Sequence, residues 1–138
     1  MKTHKKTYLA IKYHKDFRNK HIIEKIDRAL KNLSIDTSCI IRDFEQNSEI
    51  ALPPGRLMQL TFEQIISCDM MIVDLTEKGV GLGIEAGFAY AHNIPIIVIA
   101  RTGSDISATL CGIAKHIVFY GDINDIENQI TCIIRNRL

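Results

Sequence analysis

The sequence predicts an α/β fold: a single doubly wound five-stranded parallel sheet in the flavodoxin-like order 2-1-3-4-5. Three observations carry that expectation. Short apolar runs alternate with helix-period segments along the chain. Residues 70–75 (MMIVDL) and 96–100 (IIVIA) are continuous apolar runs, the pattern of central strands buried on both faces. A chain of 138 residues holds one full core and is too short for two ordinary ones, so residues 1–138 read as one domain.

Taken in order, residues 7–12 read as the first strand. Residues 19–33 read as a helix, because Ile22, Ile23, Ile26, Ala29, Leu30 and Leu33 recur at helical spacing. Residues 37–42 form a second strand, and the polar stretch 43–55 closes on Pro53, Pro54 and Gly55, a loop signature. A helix over 57–67 precedes the third strand, 70–75. A helix over 83–92 then leads through Asn93, Ile94 and Pro95 to the fourth strand, 96–100. Residues 102–105 are a loop, 106–114 a short helix, 117–120 the last strand and 123–137 a closing amphipathic helix. Right-handed crossovers between such strands produce the parallel sheet.

Composition narrows the function classes. Hydrophobic residues make up 46% and charged residues 24%, as in globular chains, and the net charge of +1 provides no field to recruit nucleic acid or an anionic membrane. Basic residues gather only near the start: Lys2, His4, Lys5, Lys6, Lys12, His14, Lys15, Arg18 and Lys20. The longest apolar stretch, 94–100, is far short of a membrane span, and no apolar signal core follows the basic start, so a cytoplasmic location is expected. Cys39, Cys68, Cys111 and Cys132 are widely separated and form no CxxC pair, which favours reduced, packed thiols. The histidines at 4, 14, 21, 92 and 116 show no zinc-binding spacing. No metal and no cofactor is expected.

The run GVGLGIEAGFA (residues 79–89) sits between the third strand and the helix that follows. Gly79, Gly81 and Gly83 permit positive φ and close approach of a ligand, and a helix start offers unpaired N–H groups. Glu85 is expected in the first helical turn, as a catalytic carboxylate or as one that merely complements the helix dipole. In a sheet of this order ligands bind at the carboxyl ends of the strands, between strands one and three. That crevice is expected between residues 12–18 and residues 74–85.

Three motifs in order, CDMMIVDLT (68–76), GVGLGIEAGFA (79–89) and NIPIIV (93–98), resemble the nucleoside 2-deoxyribosyltransferase superfamily. With ISATLCGIA (106–114), the chain is most similar to the branch of 2'-deoxynucleoside 5'-phosphate N-hydrolases. The resemblance spans residues 68–114 and is weak before Gly55. It implies a small α/β homodimer that cleaves or exchanges the N-glycosidic bond of a (deoxy)nucleoside or its 5'-monophosphate, with Glu85 as nucleophile. Such a carboxylate attacks the anomeric carbon as the base departs, and its charge stabilises an oxocarbenium-like transition state. Ser107 aligns with a serine that holds phosphate in that family, there reaching in from a neighbouring subunit; an N-cap for the short helix is its structural alternative.

Two positions depart from the family. Where it carries an aspartate that protonates the leaving base, this chain has Thr61, whose hydroxyl is no acid near neutrality. Glu63, two positions on, and Asp43, at the end of the second strand, are the other candidate acids. Where the family has a glycine-containing loop after the first strand, this chain has IKYHKDFRN (11–19). Lys12, His14 and Arg18 there are candidate phosphate ligands, or the solvated entry to a helix. Asp74 either orients a sugar hydroxyl or satisfies turn amides, and Tyr13 either stacks on a base or packs beneath a loop. His92 lies seven residues after Glu85, about 10 Å along the helix, and is not a catalytic partner.

Two other functions stay open at this point. One is a nucleotide-binding module that has lost its acid. The other is cleavage or base exchange of nicotinamide nucleotides, as in architecturally similar TIR-type domains; a cationic base needs no proton to leave, so Thr61 would be no defect.

Overall fold

A computed structural model describes residues 5–45 and 51–137. Its elements are β1 (Lys5–Ala10), α1 (Lys20–Lys31), β2 (Ile35–Ser38), a π-helical turn (Ile41–Glu45), α2 (Pro54–Ile66), β3 (Met70–Asp74), α3 (Val80–Ala91), β4 (Ile96–Arg101), α4 (Ala108–Cys111), β5 (His116–Tyr120) and α5 (Ile123–Arg137). The five strands pair in parallel in the order β2-β1-β3-β4-β5, with Leu9 beside Ile72 and Ile72 beside Ile97. The predicted architecture is therefore the observed one.

Strand alternation divides the core in two. Leu9, Ile72, Ile97 and Ile99 point to one face and meet Ile23, Ile26 and Leu30 of α1 and Ile126 and Ile130 of α5. Tyr8, Ala10, Met71, Val73, Val98 and Ala100 point to the other and meet Ile65 of α2, Leu82, Ala86 and Ala89 of α3, and Leu110 of α4. Every residue of β3 is buried, which explains the apolar run from Met70 to Val73.

Several boundaries differ from those expected. β1 starts and ends earlier than 7–12, which leaves Lys12 beyond the strand's end. β2 covers Ile35–Ser38 rather than 37–42. Polar side chains turn the backbone there: Asp43 accepts from the Cys39 N–H at 3.1 Å, its own N–H donates to the Cys39 carbonyl at 2.8 Å, and Arg42 donates to the Thr37 carbonyl at 2.7 Å. The expected loop over 43–55 thus contains part of the π-helical turn and the first residues of α2, where Pro54 takes the position that needs no N–H donor. Residues 46–50 of that loop, and Lys2 and His4 of the basic start, lie outside the described residues. The short helix is confined to Ala108–Cys111.

α3 starts at Val80, earlier than the expected 83. Gly79 is its N-cap at φ −164°, which is extended backbone open to any residue, and Gly81 and Gly83 are inside the helix. Burial of Leu82, Ala86 and Ala89 holds these glycines in a helical conformation that they do not favour on their own. Among the described residues the one glycine with positive φ is Gly103, at 90°.

Candidate active site

Because α3 begins at Val80, Glu85 stands in its second turn, and the expected placement in the first turn is corrected. The helix dipole falls off within that first turn and so contributes little to Glu85. A hydrogen bond takes its place: the Tyr8 hydroxyl donates to Glu85 Oε1 at 2.8 Å. Tyr8 belongs to β1, is 2% exposed, and points from the sheet toward α3. Burial first, and the Glu85 charge second, push its phenol well above the ordinary 10.0, so it remains a protonated donor. One carboxylate oxygen is thereby fixed to the central sheet.

Glu85 lines a cavity of about 310 Å³ with Tyr8, Lys12, Tyr13, Met58 and Thr61. This cavity lies at the carboxyl end of β1, next to β3, where the topology predicts a ligand. Thr61 is buried in its wall and donates to the Leu57 carbonyl at 2.8 Å, so its hydroxyl is tied to its own helix. Glu63 is exposed and does not line the cavity. Asp43 is held by Arg42 at 2.6 Å and lines a separate polar cavity. Among the described residues, Glu85 is the one carboxylate in this wall. Tyr13 is 43% exposed and contributes to the lining, against the reading that it packs beneath a loop.

A second cavity of about 220 Å³ collects Lys12, His14, Arg18 and Asp74, together with Thr76, Glu77 and Arg101. Lys12 lines both cavities. The nominated cations have protein partners: Lys12 donates to the Lys78 carbonyl at 3.1 Å, His14 contacts Glu77, and Arg18 pairs with Asp16 at 3.1 Å. Asp74 is 3% exposed and accepts from the Thr76 N–H at 2.9 Å and the Tyr120 hydroxyl at 3.0 Å. Both its oxygens thus serve the turn after β3 and the last strand. Burial lifts its carboxyl above the ordinary 3.8, and burial likewise takes the Tyr120 phenol up to about 12.

Ser107 lies apart from these groups. Its Oγ accepts from the Leu110 N–H at 3.3 Å as the N-cap of α4 and contacts Thr109 Oγ1 at 3.1 Å. It lines a third cavity, of about 560 Å³, with Lys78, Gly79 and Gly83; Gly79 and Val80 are common to that cavity and the one holding Glu85. The glycines do not act through positive φ. Gly81 and Gly83 have nothing within 4 Å of where a Cβ would stand, so they leave open space along the start of α3. His92 is turned away, with Nδ1 2.8 Å from the Phe88 carbonyl and its ring 4.2 Å from that of Phe88.

Sequence patterning does not single out Tyr8 or Arg101. A lone tyrosine in an apolar strand reads as core, although a buried phenol calls for a hydrogen-bond partner, and that is the available signal. Arg101 reads as the polar end of a strand. Among the described residues no group of three or more histidine, cysteine or carboxylate side chains is arranged to hold a metal ion.

No family model matches the chain, and no curated protein matches its sequence. Solved structures do. The CMP N-glycosidase of Clostridium botulinum superposes with a TM-score of 0.68 at 19% identity over 93% of this chain and 98% of its own. A 2-deoxyribosyltransferase from Bacillus psychrosaccharolyticus superposes with a TM-score of 0.71 at 21% identity over 89% and 90%. A Leishmania mexicana deoxyribosyltransferase does so with a TM-score of 0.67 at 18% identity over 97% and 99%. The chain shares their fold. At these identities the likeness establishes architecture, and the chemistry has to be argued from the site. No helix among the described residues is long and apolar enough to cross a membrane.

Two outcomes follow from this geometry. Tyr8→Phe should leave the fold intact and cost about 1 kcal/mol in urea unfolding, the typical worth of one such hydrogen bond; a loss of cooperativity would contradict a local role. For Asp74, a folded-state value above the unfolded one means that its contribution is full below the unfolded value and is lost as pH rises through the folded value. Asp74→Asn has nothing to ionise, so its stability relative to the parent should rise as pH is stepped upward from below 3.8 to neutrality. A difference that does not change with pH would refute the assignment.

Proposed function

We propose that this protein cleaves or transfers the N-glycosidic bond of a (deoxy)nucleoside or nucleoside 5'-monophosphate, with Glu85 as the nucleophile. The observation that carries the reading is the Tyr8 to Glu85 hydrogen bond at 2.8 Å, which holds a carboxylate against a cavity at the carboxyl end of β1. The fold shared with a CMP N-glycosidase and with 2-deoxyribosyltransferases agrees with it.

In this mechanism a carboxylate oxygen of Glu85 attacks the anomeric carbon and forms a glycosyl ester. The base leaves with the electron pair of the glycosidic bond, and water or a second base then displaces Glu85. Tyr8 is a positioning residue: its hydroxyl holds Oε1 and limits rotation of the carboxylate. Tyr13 is exposed at the rim of the same cavity and offers a ring to the base. Lys12, Gly79 and Gly81, which line that cavity, border the substrate in this reading. A second copy of the chain is the proposed cover for the outer face of α3, where Val80, Ile84 and Tyr90 are exposed at 82%, 49% and 58%.

Thr61 favours a second reading. With its hydroxyl bound to Leu57, it supplies no acid to a departing base. A base that leaves without protonation, such as a cationic nicotinamide, or binding without cleavage, fits that position. Free-base release from a panel of nucleosides, 5'-monophosphates and nicotinamide nucleotides separates the three. The expected result is release by the parent and at least a thousandfold less, roughly, by Glu85→Gln. Nucleotide binding by both proteins with release by neither would reassign the chain as a binding module.

A further inference from the structure

The cavity on the α1 side of the sheet holds groups that the proposed chemistry does not use. Along β4, Ile97 and Ile99 face α1 and α5 while Val98 and Ala100 face α3, so Arg101 continues the first set and lies on the opposite face from Glu85. A ligand of Arg101 is therefore a separate molecule from a substrate at Glu85. We infer that this cavity is a second binding site, in which Arg101 and the start of α1 hold a small phosphoryl anion that also carries a hydroxyl group. Such a site is independent of the proposed glycosidic chemistry.

Arg101 is the last residue of β4, at the carboxyl edge where ligands of such sheets bind. Its backbone N–H donates to Thr76 Oγ1 at 2.9 Å, and its guanidinium carbon lies 5.8 Å from the centre of the Tyr120 ring. That ring is fixed in turn by the Tyr120 hydroxyl, which donates to Asp74 at 3.0 Å. The guanidinium itself makes no hydrogen bond or ion pair among the described residues. By contrast Lys12, His14 and Arg18, which line the same cavity, are engaged with the Lys78 carbonyl, Glu77 and Asp16. The carboxylate of Asp74 is engaged by Thr76 and Tyr120. A planar five-donor fork on an aromatic support is thus left for an oxyanion, which it can bind in bidentate fashion.

Two further observations define the ligand. The first turn of α1 enters the same wall through His21 and Ile22, contains no acidic residue and receives no side-chain cap from Asn19, so the positive end of its dipole is open to an anion. Asn19 also lines the cavity and is 7% exposed; its Nδ2 donates to the Lys12 carbonyl at 2.7 Å, while its Oδ1 is a buried acceptor without a partner among the described residues. A buried acceptor calls for a donor, and a fully ionised oxyanion such as sulfate has none to offer. Hydrogen phosphate, or the phosphate ester of a small polyol, has both anionic oxygens for Arg101 and an O–H for Asn19. The cavity volume of about 220 Å³ is below the ~300 Å³ at which pockets for drug-sized ligands begin, which favours such a fragment over a whole nucleotide.

The test is calorimetric titration of the protein with inorganic phosphate, ribose 5-phosphate and sulfate, at neutral pH and constant ionic strength. The parent should bind at least one of the two phosphate compounds, the tighter of them telling free phosphate from a sugar phosphate, and should bind sulfate about threefold or more weakly for want of the hydroxyl bond. Arg101→Gln should weaken phosphate binding by about tenfold or more. Arg101→Lys, which keeps the charge and loses the fork, should fall between, and it serves if the glutamine variant melts early. Glu85→Gln should bind as the parent does, since the two residues lie on opposite faces of the sheet. Binding of neither phosphate compound, or an affinity that Arg101→Gln leaves unchanged, would overturn the assignment. Sulfate held as tightly as phosphate would contradict the hydroxyl requirement and with it the ligand class. Binding that changes in Glu85→Gln and not in Arg101→Gln would put the anion in the other cavity and refute a second site.

Discussion

The hydrogen bond from Tyr8 to Glu85 joins the centre of the sheet to the one element that carries the proposed chemistry. Tyr8 is locked by its neighbours in β1 and β3 and by the helices above it, so its hydroxyl has a fixed position. Glu85, one and a half turns into α3, comes to that hydroxyl only if the helix starts at Val80 and packs through Leu82, Ala86 and Ala89. Displacing either partner would leave a part-buried carboxylate without its oriented donor, a loss that falls on both packing and chemistry.

Strand alternation then sets the rest of the site. Because successive residues of β3 face opposite layers, Val73 supports the α3 side while Asp74 turns to the α1 side and joins Tyr120. The carboxyl edge of the sheet consequently carries two cavities with different chemistry. Among the described residues, one holds a single carboxylate in a mostly apolar and aromatic wall; the other is rich in charge. Lys12, just past the end of β1, belongs to both.

The elements legible in the sequence are those whose pattern has one cause. β3 and β4 are buried on both faces, so their apolar runs are unmistakable, and the periodicity of α1 marks its buried stripe directly. β2 lies away from its expected place because Asp43 and Arg42 bind backbone groups and turn the chain, a tertiary effect that apolar patterning does not record. The glycine run reads as a turn that permits positive φ, whereas packing of Leu82 and Ala86 makes it helical from Val80. Glu85 stands out because it is a lone carboxylate in that run. Tyr8 and Arg101 are hidden, since each takes its meaning from a partner distant in sequence, Glu85 for one and Tyr120 for the other.

The proposed chemistry requires that a Glu85 oxygen bonds to the sugar. The direct measurement is peptide mass spectrometry after incubation with 2'-fluoro-arabinonucleosides and their 5'-monophosphates, whose electronegative fluorine slows release of a glycosyl ester. A glycosyl adduct is expected on the peptide containing Glu85, formed together with free base and missing in Glu85→Gln. Base release with no adduct on that peptide, or release undiminished in Glu85→Gln, would contradict it.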